Sequence, residues 1–197
     1  MQEKNKTGHF IGSIVNIAEN SLMPMGVQKF TIIDGQQRLT TLTLLLIALR
    51  DYCLEHTNKY SRDIIGIISS CIENSYRNGE EKYKLILTQP DKDHLIKLID
   101  HIPINSLENS KVTNNYNFFK KSINNGELSV QQILEGVAKL QIVNITLDRE
   151  QDDPQLIFES LNSTGINLSQ SDLIRNYILM DMSPEKQKEI YNKYWVE

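Results

Sequence analysis

Between Lys29 and Leu42 the chain reads Lys-Phe-Thr-Ile-Ile-Asp-Gly-Gln-Gln-Arg-Leu-Thr-Thr-Leu, so a β-branched run passes through a polar turn straight into an apolar helix. Phe30 to Ile33 predict a buried strand, and Leu42, Leu45, Leu46 and Leu49 recur at the i, i+3, i+4, i+7 spacing of one helix face. The junction carries the polar groups. Asp34 is expected to cap the helix, and Gly35, lacking a Cβ, lets the backbone turn sharply and another group come close. Backbone N–H groups at such a helix start, with Arg38 and the hydroxyls of Thr40 and Thr41 one turn in, suit a phosphate or another anion. Asp-Gly at a strand-to-helix junction is most often turn chemistry alone. Here Asp34, Gly35, Gln36, Gln37 and Arg38 put more hydrogen-bonding capacity between two apolar segments than a cap requires.

The rest of the composition sets bounds. A chain of 197 residues with 40% hydrophobic and 23% charged side chains can bury a substantial core, as one domain or as a domain with an appended subdomain. The net charge of -4 provides no general basic footprint, so nucleic-acid contact would need a local patch or another domain. Cys53 and Cys71 are too few for a disulfide scaffold or a four-cysteine zinc site and fit a reducing, cytoplasmic setting. No apolar run reaches membrane-spanning length, and Met1 to Thr7 does not read as a signal peptide.

Along the chain, His9 to Ile17 predicts a strand with Gly12 as a bulge or close-approach point, returning through a loop to pair with Gln28 to Ile33. Arg62 to Tyr76 predicts an amphipathic helix burying Ile64, Ile65, Ile68, Cys71 and Ile72. Tyr83 to Leu87 is a short strand candidate. Helices are expected over Asp91 to Ile102, Asn109 to Ile123 and Ser129 to about Lys139. Gln141 to Leu147 is β-branched and alternating, and is expected beside Phe30 to Ile33 in the same sheet. Further on, a helix from about Pro154 to Leu161 is broken at Asn162-Ser163-Thr164-Gly165, and another starts near Ser169.

That later region holds the second polar group. Asp172, Arg175 and Asn176 are spaced i, i+3, i+4 and project from one helix face. Taken alone, the loop and the charged pair are ordinary surface features. If they converge on the Asp34–Arg38 turn, Asp172 can hold Mg²⁺ or orient Arg38, while Asn162 and Thr164 hydrogen-bond a sugar or phosphate. His9, His56, His94 and His101 show no metal-ligand spacing, and no nucleophile elbow, P-loop or dinucleotide fingerprint is present.

Two long motifs, Phe30-x-Ile-Ile-Asp-Gly-Gln-Gln-Arg-Leu-Thr-Thr-Leu and Ile157-Phe-Glu-Ser-Leu-Asn-Ser-Thr-Gly-Ile-Asn-Leu-Ser-Gln-Ser-Asp-Leu-Ile-Arg-Asn-Tyr, occur in this order after His9-Phe-Ile-Gly-Ser-Ile. Together they resemble the DGQQR family, the N-terminal domain of GmrSD-type modification-dependent restriction endonucleases. The resemblance implies an α+β fold: a small ParB/sulfiredoxin-like mixed sheet with a largely α-helical remainder. On that reading residues 1–55 form the strand-strand-helix core, 56–139 a helical insertion, and 140–197 the returning strand and second-motif helices. It also implies a nucleoside triphosphate with Mg²⁺ as cofactors. Asp34, Gln36, Gln37 and Arg38 would be catalytic. Gly35, Thr40, Thr41, Asn162, Thr164, Gly165, Asp172, Arg175 and Asn176 would line the nucleotide, with Asp172 on the metal.

In the family's logic, nucleotide turnover regulates DNA cleavage by a separate HNH-type nuclease domain. Neither that domain nor the upstream I-P-x-Y-Q-R type segment of the family is found in this sequence, so the expectation is a fragment or truncated product with hydrolysis in question. The expected function is a nucleotide-binding, NTP-hydrolysing regulatory domain of a phage-defence restriction system, with nucleotide and DNA as partners and a homo-oligomer possible. The rival is a non-enzymatic DNA-binding or protein-docking module on the same scaffold.

Overall fold

Strand β1 (His9–Ala18) carries the run Ile14, Val15, Asn16 and Ile17, all buried, as a strand covered on both sides requires. In the computed structural model, which describes residues 8–19, 26–89, 91–104 and 110–148 together with 186, 190 and 193, β1 is the middle strand of a three-stranded sheet ordered β2-β1-β3. Strand β2 (Phe30–Asp34) lies antiparallel to it, pairing Ala18 with Phe30, Ile17 with Thr31, Asn16 with Ile32 and Val15 with Asp34. Ile33 is the extra residue of a β-bulge in this register and is the one buried residue of β2.

Strand β3 (Leu140–Leu147) takes the other side of β1. The His9 N–H donates to Lys139 O at one end and the Thr146 hydroxyl bonds Asn16 Oδ1 at 3.0 Å at the other, so β3 runs parallel to β1 and the sheet is mixed. Two expectations change here. Gln141–Leu147 is in the predicted sheet but beside β1 rather than beside Phe30–Ile33, because β1, the longest strand and the one with the buried run Ile14 to Ile17, takes the centre. Phe30 to Ile33 is an edge strand, with Phe30 and Thr31 exposed.

Among the described residues five helices accompany the sheet: α1 (Gln36–Glu55), α2 (Arg62–Ile72), α3 (Asp91–Ile99), α4 (Lys111–Asn124) and α5 (Val130–Val137). The fold is therefore α+β. The chain divides into two units, one of Met1–Ile14, Ser21–Val27 and Gly35–Asn144, the other of Val15–Asn20, Gln28–Asp34 and Ile145–Glu197. The second unit contains the β1–β2 register and the Asn16–Thr146 contact.

The helical core belongs to the first unit, where α1 packs on both α2 and α4, and α3 packs on α4. Because α1 has neighbours on two sides, Leu44, Ile47 and Ala48 are buried along with the predicted Leu49, while Leu45 and Leu46 are only partly covered. Each fully buried Leu or Ile contributes about 1.5–3 kcal/mol, so these residues outweigh any single cap in holding α1. Ile68 and Ile72 of α2, Leu95 and Ile99 of α3, and Val112, Tyr116 and Ile123 of α4 complete this core.

Local departures from the sequence reading have simple causes. Helix α2 stops at Ile72, four residues before Tyr76, and Cys71 is exposed rather than on its buried face. Glu73 turns extended and bridges to Tyr83, following a short 3₁₀ turn over Gly79–Lys82. That single bridge is all of the strand expected over Tyr83 to Leu87. Ser110 and Ser129 cap α4 and α5, the latter in a reciprocal capping box with Gln132.

The irregular segment between α2 and α3 is tied down by charge. Lys82 Nζ donates to Asp100 Oδ1 at 2.6 Å and the Tyr83 hydroxyl to Asp100 Oδ2 at 2.7 Å. Burial alone would raise the Asp100 carboxyl, but these two donors outweigh it and hold the group below its ordinary value. The same hydrogen bonds push Lys82 and Tyr83 upward. The carboxylate contribution is thus complete above the unfolded-state value near pH 4 and is lost as pH falls through the lower folded value. For Lys82 and Tyr83 it is complete below about pH 10 and lost as pH rises through their raised values. Urea unfolding at pH 2–5 should therefore show a steeper loss of stability for wild type than for Asp100→Asn. Equal slopes would remove Asp100 from the account.

Candidate functional site at the head of α1

Gly35 stands between β2 and α1 as the N-cap, with φ 93° and ψ 6°, and no side chain caps the helix. Asp34, expected in that role, remains the last residue of β2, paired with Val15. The reason is spacing: one left-handed residue makes the whole turn, and only glycine takes that backbone cheaply, so the aspartate stays extended one position too early. The first turn contains no acidic residue. Its peptide dipoles thus present a partial positive charge with no carboxylate in that first turn.

Arg38 adds a full positive charge at the same end. Its guanidinium is half-buried and lies against β1, where Nη1 donates a short hydrogen bond to the Ser13 carbonyl. Two glycines flank it. A Cβ on Gly12 would lie 3.0 Å from Arg38 Nε, 3.1 Å from Cζ and 3.3 Å from Nη2, and one on Gly35 would lie 3.2 Å from Nη1. Both glycines have positive φ, 111° and 93°. The guanidinium therefore lies flat on bare backbone.

The other predicted residues of this segment have distinct surroundings. Gln36 and Gln37 are exposed in the first turn of α1, and Thr41 is exposed farther along. The Thr40 hydroxyl donates back to the Gln36 carbonyl at 2.8 Å. Gly12, Ser13, Gly35 and Arg38 are brought together. The second group, Asn162, Thr164, Gly165, Asp172, Arg175 and Asn176, lies outside the described residues, as do the helices expected from Pro154 onward. Among the described residues, no group of three or more His, Cys, Asp or Glu side chains could hold a metal ion.

Sequence reasoning passed over a buried charged network at the far end of α1, about 20 Å along the helix from Arg38 at 1.5 Å per residue. Arg50 and Asp51 are both buried and bonded to each other at 3.0 Å. Arg50 Nη2 also donates to the Leu98 carbonyl of α3 at 3.2 Å, and Asp51 Oδ2 accepts from the Tyr116 hydroxyl of α4 at 2.8 Å. His101 Nδ1 lies 3.6 Å from Asp51 Oδ1. Burial, and then the hydrogen bond to Asp51, push the Tyr116 phenol far above its ordinary value. A cavity of about 720 Å³ opens beside this network, with Asp51, Lys97, His101, Tyr116 and Lys120 in its wall. The overlooked signal was register. Asp51 is i+4 from Ile47 and i+7 from Leu44, so it continues the buried stripe.

Fold and site together define an α+β domain organised on a strand–glycine–helix junction, at which Arg38 lies beside the positive end of the α1 dipole. The chain belongs to the family described as GmrSD restriction endonuclease, N-terminal domain, whose family model matches residues 2–179. A comparison with curated proteins gave no match. Among the described residues, no helix is long and apolar enough to cross a membrane.

Proposed function

We propose that this domain binds a nucleoside triphosphate with Mg²⁺ at the head of α1 and regulates, through that nucleotide, a restriction endonuclease acting on foreign DNA. The observation that carries the reading is the Arg38 guanidinium held at an uncapped helix N-terminus between two glycines, with no carboxylate in the first turn. Such a site favours a multiply charged anion, because dipole and guanidinium act in the same direction. Membership of a restriction-endonuclease family supplies the biological setting.

In this reading Arg38 neutralises phosphate charge, and the Gly35–Gln37 backbone approaches the phosphate oxygens. Gln36 or Gln37 orients the attacking water, and Asp34 and the Thr40 and Thr41 hydroxyls border the site. Asn162, Thr164, Gly165, Arg175 and Asn176, which lie outside the described residues, are proposed as further nucleotide-binding residues, with Asp172 proposed for Mg²⁺. The metal, when bound, supplies charge neutralisation between phosphate oxygens. The DNA and an HNH-type nuclease domain are the partners downstream of nucleotide turnover, in the cytoplasm.

Calorimetric titration of ATP and GTP with Mg²⁺ into wild type, followed by phosphate-release assays, tests this. Saturable one-site binding is expected. Absence of binding by either nucleotide would overturn the proposal.

A further inference from the structure

We infer that Gly12 is a positioning residue for Arg38, forming with Gly35 a two-glycine cradle that sets the guanidinium's orientation at the head of α1. The inference rests on the anion-site reading above for its functional consequence, but its geometry stands independently. Nε, Cζ and Nη2 of Arg38 are nearly equidistant, at 3.0, 3.1 and 3.3 Å, from where a Gly12 Cβ would be. Three atoms of one plane at matching distances mean that the guanidinium face, not its edge, rests on the strand. Any side chain at position 12 would occupy the space of that plane.

Gly35 closes the cradle from the other side. A Cβ there would come to 3.2 Å from Arg38 Nη1 and 3.1 Å from the Ser13 carbonyl, the oxygen that accepts from that same Nη1. The two glycines, 23 positions apart, thus flank one hydrogen bond. A long arginine side chain ordinarily loses rotamer freedom when it binds an anion. Here the stacking surface and the Ser13 anchor hold it beforehand, so the loss at binding is smaller and the charge is already aimed. Gly12 touches no ligand in this account and acts through Arg38.

Gly12→Ala should therefore weaken Mg²⁺–ATP binding by about tenfold or more, as misplacement of a binding group commonly does. The same substitution in an Arg38→Ala background should change affinity less than about twofold, because coupled residues are non-additive. Full, multiplicative losses in the double variant would mean that Gly12 acts on the fold rather than on Arg38, and would overturn the inference. So would unchanged affinity in a folded Gly12→Ala protein.

A φ of 111° strains alanine whatever the space around it, so a second test avoids substituting Gly12. A measurement on wild type then decides: ¹⁵N NMR of the Arg38 guanidinium should show restricted rotation about Nε–Cζ. A freely rotating group would refute the cradle. Wild type that binds no nucleotide but keeps an immobilised Arg38 would refute the nucleotide reading and leave the cradle standing.

Discussion

Arg38→Ala is expected to lower the affinity for Mg²⁺–ATP by about 10- to 100-fold, the equivalent of one lost charge-assisted contact of about 1.5–3 kcal/mol. Stability should fall by about 1 kcal/mol for the hydrogen bond to Ser13, which is among the contacts this half-buried side chain gives up. The separation of the two effects is what identifies a binding group. Arg38→Lys should recover only part of the affinity, because an ammonium keeps the charge but cannot lie flat on Gly12 and bond Ser13 sideways. Calorimetry with parallel urea denaturation checks both numbers. Affinity within twofold of wild type would remove Arg38 from the site.

Asp51→Ala carries the largest expected cost to stability, about 3 kcal/mol or more, read from urea denaturation. Removing the carboxylate leaves the Arg50 guanidinium, only 3% exposed, with the Leu98 carbonyl and the field of Asp100 but without its directly bonded counter-charge, and leaves the buried Tyr116 hydroxyl short of its acceptor. An uncompensated buried charge costs more than the intact pair contributes. Against a typical total of about 5–15 kcal/mol, such a loss would bring the domain close to unfolding. Because Arg50 reaches α3 and Asp51 reaches α4, the network fixes the seating of α1 against both helices. A loss below about 1 kcal/mol would show that water in the adjacent cavity satisfies these groups instead.

How much was legible in advance can be judged at particular residues. His9 to Ile17 and the helix marked by Leu42, Leu45, Leu46 and Leu49 were readable because β-branched content and helical periodicity are local signals, and they fall within β1 and α1. The family was readable because its motifs are long and linear. Strand order was not: Phe30–Ile33 and Gln141–Leu147 each look like a partner for the other, and only the length and two-sided burial of β1 place it between them. The bulge at Ile33 was invisible for a similar reason, since it exists only in the register of two strands.

At the site itself the division is sharper. The amino acids alone determined that Asp34 to Arg38 would be a strand-to-helix turn with an arginine one turn in, because β-branching, glycine and helical spacing are encoded within a few residues. They pointed to Asp34 as the cap, where the structure has Gly35, since the cap depends on which residue adopts the left-handed backbone. What only the tertiary structure decided is what Arg38 does. Its guanidinium is aimed by a glycine and a carbonyl on β1, more than twenty positions earlier, and Arg50 and Asp51 acquire their role only when α3 and α4 close over them. Contacts of that kind arise from close approach in space, and a linear pattern of residue types carries no record of it.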